Sequence, residues 1–378
     1  MSARGKNGKP PVVSVVIGAY NAESFIEETL TSILDQTLTE PYEVIIVDDG
    51  SADATASIAK RFADRDPRVR IVHKENGGSA SARNAGAKAA RGEFLAILDA
   101  DDRCHRDRLR RLLQAFRDDP TLGIVGSWAR LFDRSGVLGV IRPPLEHEVI
   151  TKAVLSGSGV GFVLASIMCR SALFLDAGGY DERYPTSEDY ELVVRLAKRT
   201  RCANVPEPLY DVRVHSASKT FRMFKQQLYR GLLTRHTLEL GGIDALNDDQ
   251  VAILRKKTLE TRDLKGFGID ETRVSATLWG GYLHRIRQLL LVRDTEHAER
   301  FLAEAADYAR MQALGSTQQA KLGVLRAHAT LQRGAPVRAI ASICRAAASD
   351  PRAATREAAL TLKRELLRSY ARYRESAV

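Results

Sequence analysis

Cysteine is scarce: four residues in 378, at Cys104, Cys169, Cys202 and Cys344, with no CxxC pair. That spacing argues against a zinc knuckle, a thioredoxin-type motif and a disulfide scaffold, and fits reduced thiols in a cytoplasmic protein. Long apolar runs are also missing. No stretch of 18 apolar residues occurs, so no membrane-spanning helix is expected. The basic N-terminus (residues 1–11) leads only into Val12–Ile17, too short for the apolar core of a signal peptide. The phosphate-binding signatures GxGxxG and GxxxxGK are absent, which lowers the case for a dehydrogenase or an ATPase.

Hydrophobic residues make up 44% and charged residues 28%, an ordinary globular mix. The net charge of +10 is unevenly placed. Residues 1–220 carry 30 basic and 30 acidic side chains, and residues 221–378 carry 27 and 17. A balanced module is followed by a basic one. The pattern divides the chain into a flexible N-terminus (1–11), an α/β domain (12–220) and a basic α-helical extension (221–378).

Within the first module, β-rich runs alternate with helical periodicity. Strands are expected at Val12–Ile17, Glu43–Val47, Val69–His73, Phe94–Leu98, Gly123–Trp128 and Leu209–His215. Helices are expected at Glu23–Gln36, Ala54–Ala63, Ser79–Ala90, Arg106–Arg117 and Glu188–Lys198. Short apolar strands with intervening helices imply a parallel sheet covered on both faces, with ligands at the carboxyl ends of its strands. Beyond residue 220 strand signals fade and helical patterns dominate, without a fixed-period repeat.

Acids collect where the expected strands end. Asp48 and Asp49 follow the second strand, and Asp99, Asp101 and Asp102 follow the fourth. Either group alone reads as turn chemistry. Two groups on one sheet edge would repel unless a cation or hydrogen-bonding ligand lies between them. Oxygen ligands suit Mg²⁺ or Mn²⁺, which commonly share carboxylates with substrate phosphates. Between the two groups in chain order, His73–Asn84 supplies a Gly77–Gly78 turn, a helix start and Arg83.

Four segments in order, Val13–Asn21, Ile45–Ser51, Asn76–Asn84 and Leu98–Asp102, resemble the nucleotide-sugar half of family 2 glycosyltransferases, over about 90 residues. The resemblance implies the GT-A fold and a nucleotide-diphosphate sugar, with UDP the expected base. It places Tyr20 and Asp48 at the nucleobase or ribose, with Asp49 shaping the pocket. Arg83 falls near the base and diphosphate, Asp99 at the ribose hydroxyls, and Asp101 at a divalent metal, Mn²⁺ or Mg²⁺. A turn-shaping role is the alternative for Tyr20 and Asp49.

Gly178–Glu182 and Ser187–Leu192 resemble the acceptor half of the same family, a glycine turn followed by an ED pair. On residues alone, Ser187 reads as an N-cap, with Glu188 and Asp189 favouring the positive end of a helix. The resemblance makes Asp189 the catalytic base and Glu188 an acceptor-binding or positioning acid. A carboxylate in reach of an acceptor hydroxyl supplies general-base catalysis, and inversion is implied by the family. His215, in an RxH-like segment, is either a packing residue or a ligand of the metal or diphosphate, with Arg213 or Lys219 near the phosphates. The QxxRW motif of processive members is absent, so addition of one sugar or a few is expected.

Three readings of the basic extension stay open: a solvated bundle packing on the catalytic domain or on a second copy, a surface for anionic lipid at the inner face of the membrane, and nucleic-acid binding. The last is disfavoured because no recognised motif occurs. The lipid reading rests on an amphipathic basic helix at Thr355–Tyr373. The expected acceptor is a saccharide or lipid-linked saccharide of a surface glycan. Two other functions are weighed. A nucleotidyltransferase would want a basic glycine-rich loop, but Ile17–Glu23 has neither Lys nor Arg. A non-catalytic glycan- or partner-binding scaffold would lack the acids, yet Asp101 and Asp189 are present.

Overall fold

The computed structural model describes residues 10–358, apart from 135, 157–160, 185, 216–223, 257, 292–294, 312–314 and 333–335. Lys219 and the part of the expected Thr355–Tyr373 helix beyond residue 358 lie outside the described residues. The chain forms two compact units, Met1–Lys257 and Thr258–Val378.

The first unit is built on one mixed sheet of nine strands. These are β1 (Val13–Ala19), β2 (Tyr42–Asp48), β3 (Val69–His73), β4 (Phe94–Ile97), β5 (Arg103–Cys104), β6 (Leu122–Asp133), β7 (Gly136–Ile141), β8 (Met168–Arg170) and β9 (Arg201–Arg213). Their order is β3-β2-β1-β4-β8-β6-β9-β5, with β7 paired to β6. The helices are α1 (Ile26–Leu34), α2 (Thr55–Arg65), α3 (Ser79–Ala89), α4 (Arg108–Asp118), α5 (His147–Ser156), α6 (Ser171–Asp176) and α7 (Glu188–Ala197).

The expected parallel arrangement holds for β1 to β4 and does not extend across the sheet. β8 lies antiparallel between β4 and β6, while β6 and β9 are parallel to each other. β8 has three residues, Met168-Cys169-Arg170, without β-branching or a measurable period, so its direction leaves no mark on the sequence.

Strand composition explains the layering. On β1, Val13, Val15 and Ile17 join one core cluster and Val16 the other. On β2, Val44 and Ile46 alternate in the same way with Ile45 and Val47. Successive strand side chains point to opposite faces. Both faces are therefore sealed, one with Ile26, Leu30 and Ile33 of α1 and Leu109, Leu112 and Leu113 of α4, the other with Ala80, Ala82 and Ala87 of α3. Each such Val, Ile or Leu contributes about 1.5–3 kcal/mol by leaving water. The small residues of α3 let it lie close on the sheet: a Cβ on Gly86 would stand 2.4 Å from Cγ1 of Val16.

The expected boundary at residue 220 lies outside the described residues. Beyond it, α8 (Phe224–Glu239) and α9 (Asp248–Arg255) belong to the first unit, joined where the buried Arg230 donates to the Leu254 carbonyl at 2.6 Å. The second unit is helical: α10 (Thr261–Gly266), α11 (Glu271–Leu291), α12 (Thr295–Met311), α13 (Ser316–Gln332) and α14 (Pro336–Ser349). No helix among the described residues is long and apolar enough to cross a membrane.

Candidate active site

The carboxyl ends of β2 and β4 carry the acids, and the loop after β1 is held to the one after β2. Asn21, with φ of 48°, accepts the Ala52 amide on its side chain at 2.9 Å, while its own amide donates to Ser51 Oγ at 3.1 Å. This staple leaves the neighbouring Tyr20 side chain exposed. Asp48 is buried. Its Oδ1 accepts the Ser51 amide, and its Oδ2 lies 3.2 Å from His73 Nδ1. Asp49 shapes the β3–α3 loop. It accepts from Lys74 Nζ at 2.6 Å and from the amides of Gly77 and Gly78 at 3.0 and 2.8 Å.

Arg83 projects from the second turn of α3 and ties two regions together. It donates to Asp99 Oδ1 at 2.7 Å and to Glu188 Oε1 at 3.3 Å. Its guanidinium also lies 5.5 Å over the Tyr180 ring. Asp99 and the neighbouring Glu188 and Asp189 hold its pKa well above the usual arginine value, against the effect of burial.

Ser187 enters α7 at φ of 63° and makes no side-chain cap, contrary to the capping role its type suggests. α7 is anchored through the glycine turn instead. Asn84 donates to the Tyr180 carbonyl at 2.8 Å and accepts the Tyr180 amide at 2.9 Å. Arg195 pairs with Glu191 and donates to the Ala177 and Gly179 carbonyls at 2.5 and 2.7 Å. The glycine turn and the helix carrying the ED pair are thus one assembly, fixed to α3.

Burial pushes the Asp189 carboxyl up from 3.8 to about 6, reinforced by the neighbouring Glu188 and partly offset by Arg83. An aspartate poised there is ionised at neutral pH and still basic enough to take a proton.

A second grouping forms where β9 runs out. His215 Nε2 lies 2.9 Å from Asp101 Oδ2, with its ring 4.6 Å from that of Phe25. His215 Nδ1 is buried and has no hydrogen-bond partner among the described residues. No group of three or more His, Cys, Asp or Glu side chains suited to caging a metal occurs among the described residues. The Asp101–His215 pair fits the looser case, one or two protein ligands with substrate oxygens completing the shell. Arg213, the other basic residue of that segment, is engaged elsewhere. It donates to the Asp101 carbonyl at 2.7 Å, pairs with Glu28 and stacks on Phe132.

The structure therefore unites Arg83, Asp99, Glu188 and Asp189 in one grouping and Asp101 with His215 in another, while Asp48 and Asp49 organise adjoining loops. Sequence reasoning assigned no role to Tyr180, Asn84, Arg195 or Tyr210. The first three meet through the Gly178–Gly179 turn, whose glycines were the available signal.

The model of the family described as Glycosyl transferase family 2 matches residues 14–170. EpsH of Bacillus subtilis (strain 168), which carries a glycosyltransferase name, is 32% identical over 237 residues, 60% of this chain and 68% of that protein. The hyaluronan synthase of Pasteurella multocida is 29% identical over 64% of this chain but only 24% of its own length. Among solved structures, S. aureus TarS 1-349 in complex with UDP-GlcNAc aligns with a TM-score of 0.50 at 18% identity, covering 85% of this chain and 88% of that one. The mannosyltransferase PcManGT of Pyrobaculum calidifontis, in complex with GDP-Man and Mn²⁺, gives 0.50 at 21%, covering 89% and 87%. At these identities the two structures establish a shared GT-A-like α/β fold.

Proposed function

The chain belongs to glycosyl transferase family 2 and is a glycosyltransferase, and from that premise we propose that it moves a sugar from a UDP sugar to a saccharide or lipid-linked hydroxyl with inversion, Asp189 acting as base. The observation that carries this reading is the Arg83 bridge: one guanidinium spans Asp99, on the donor edge of the sheet, and Glu188, beside the candidate base.

In this reading Tyr20, Asp48 and Asp99 receive the nucleoside, and Asp49 keeps the 74–78 loop in shape beneath it. Arg83 exchanges part of its carboxylate contacts for the diphosphate. Glu188 orients the acceptor. The acceptor oxygen attacks the anomeric carbon as its proton passes to Asp189, and the bond from that carbon to the diphosphate breaks with its electron pair leaving on the diphosphate. Asp101 and His215 would hold Mn²⁺ or Mg²⁺. When bound, such an ion supplies Lewis-acid neutralisation of the leaving diphosphate. The name of the hyaluronan synthase and the UDP-GlcNAc in the TarS structure support a UDP donor and a growing glycan as acceptor, with GDP, as held by the PcManGT structure, the competing nucleotide. Lacking QxxRW, the enzyme adds one sugar or a few. The net positive charge of residues 221–378 suits contact with an anionic membrane surface or with a second copy.

A thermal-shift screen of UDP, GDP and ADP and their sugars, with and without Mn²⁺, tests the donor reading. A metal-dependent upward shift with UDP species is expected. A preference for GDP or ADP species contradicts the assigned base, and no shift with any of them favours a non-catalytic scaffold.

A further inference from the structure

Beneath the acidic loop lies a buried assembly that the donor reading does not use. Tyr210, on β9, is completely buried between its register partners Cys104 of β5 and Ala129 of β6. Its hydroxyl accepts the Asp99 amide at 3.1 Å, and the buried Asp102 carboxyl faces the same hydroxyl. Burial, with Asp102 and Asp99 nearby, keeps the phenol protonated and so available as a donor.

Arg108 lies under the Tyr210 ring, its guanidinium 5.1 Å from the ring centre. It too is completely buried, and it forms no ion pair among the described residues. One nitrogen, Nη2, donates to the Ile97 carbonyl at 2.7 Å and more weakly to that of Ala165 at 3.4 Å. Nε and Nη1 donate to no oxygen or nitrogen among the described residues, and the guanidinium lies beside the Cys104 thiol. The guanidinium is held by the two carbonyls, the Tyr210 ring and the neighbouring Cys104 thiol rather than by a carboxylate, and a well-packed apolar side chain of similar size is often no worse for stability.

The loop above is pinned almost atom by atom from within. Thr29 Oγ1 lies 2.9 and 2.8 Å from the carbonyls of Ala100 and Asp102. The Arg213 amide donates to Asp102 Oδ1 at 2.7 Å, and Arg213 Nε to the Asp101 carbonyl at 2.7 Å. Only the side chains of Asp99 and Asp101 turn outward, to Arg83 and His215. A site that binds through a few oxygens depends on such internal support.

We infer that Tyr210, backed by Arg108, is a positioning residue that fixes the Asp99–Asp102 loop for the donor diphosphate and its metal. The inference rests on the donor reading. Arg108 braces the end of β4 through Ile97 and the face of the ring, and Tyr210 sets where Asp99, and two residues on Asp101, present their oxygens.

Calorimetric titration of UDP into the full chain, at a series of Mn²⁺ concentrations, tests this. Tyr210→Phe should weaken Mn²⁺-dependent UDP binding about tenfold, the scale of one lost hydrogen bond, and raise the half-saturating Mn²⁺ concentration. Tyr42→Phe is the control. That hydroxyl donates to the Ile33 carbonyl at 3.0 Å, outside the site, and its loss should lower Tm without moving either binding constant. Arg108→Met covers a folding failure of Tyr210→Phe: it should keep Tm within about 3 °C while weakening UDP binding severalfold. Unchanged binding in Tyr210→Phe overturns the inference, as does equal weakening in Tyr42→Phe. If Tyr210→Phe does not fold, unchanged binding in Arg108→Met overturns it. A wild type that binds no UDP with Mn²⁺ overturns the donor reading and this inference with it, whereas a binding wild type with indifferent variants overturns this inference alone.

Discussion

Nη2 of Arg83 lies 2.7 Å from Oδ1 of Asp99, although the two residues come from different elements, α3 and the loop after β4. The same guanidinium reaches Glu188 at 3.3 Å, so the acid proposed to read the donor is coupled to the neighbour of the proposed base. Replacing Arg83 by Lys keeps one positive charge but not a planar fork able to reach both carboxylates. Arg83→Lys should raise the KM for the donor about tenfold or more and lower kcat as well. Initial-rate kinetics in the donor check this, and an unchanged KM would remove Arg83 from the donor site.

Asp189 gives a pH signature. With its pKa near 6, kcat/KM should rise tenfold per pH unit below that value and level off above it. Rates between pH 4.5 and 8.5 measure this. A profile still climbing through pH 8 would point to a different base.

The same group makes a stability prediction of opposite sense to its catalytic one. Its folded pKa, about 6, lies above the ordinary 3.8, so the folded state binds this proton more tightly than the unfolded state does. The stabilisation is full below about pH 4 and is lost as pH rises through about 6. Asp189→Asn should therefore be more stable than the wild type at pH 7.5, by up to about 3 kcal/mol, with little difference at pH 4. Denaturant melts at the two pH values test this. A variant less stable than the wild type at pH 7.5 would mean that the carboxylate is stabilised where it sits.

Gly179 has φ of 69°, and a Cβ there would stand 2.6 Å from Asn84 Oδ1 and 3.1 Å from Phe174. Gly179→Ala combines a strained backbone with a clash against the staple that orients α7. It should cost about 2–4 kcal/mol in chemical denaturation and lower kcat more than donor binding. Loss of stability with kcat intact would separate the turn from the base.

Much of this could be read from the sequence, for identifiable reasons. The β-branched runs of β1 and β2 announce themselves because both faces are buried. The acids that end β2 and β4 fall on one edge because β1 to β4 run parallel. The turn Gly178–Gly179 and the pair Glu188–Asp189 carry a local pattern that survives without structure. Tyr210 does not, since its partners Asp99 and Arg108 are over a hundred residues away and meet it only because β9 runs between β5 and β6. β8 was illegible for want of length, and α5, one face of which covers the sheet at Ile150 and Val154, lies in a stretch of mixed composition.

Transfer from a UDP donor with Asp189 taking the acceptor proton makes UDP release depend on that carboxylate. The most direct measurement is UDP release from UDP sugars by the full chain at pH 7.5 with Mn²⁺ and saccharide acceptors, the wild type beside Asp189→Asn. Release by the wild type is expected, with a fall of about a hundredfold or more in the variant while UDP affinity changes little. Release by Asp189→Asn at the wild-type rate would show that Asp189 is not the base.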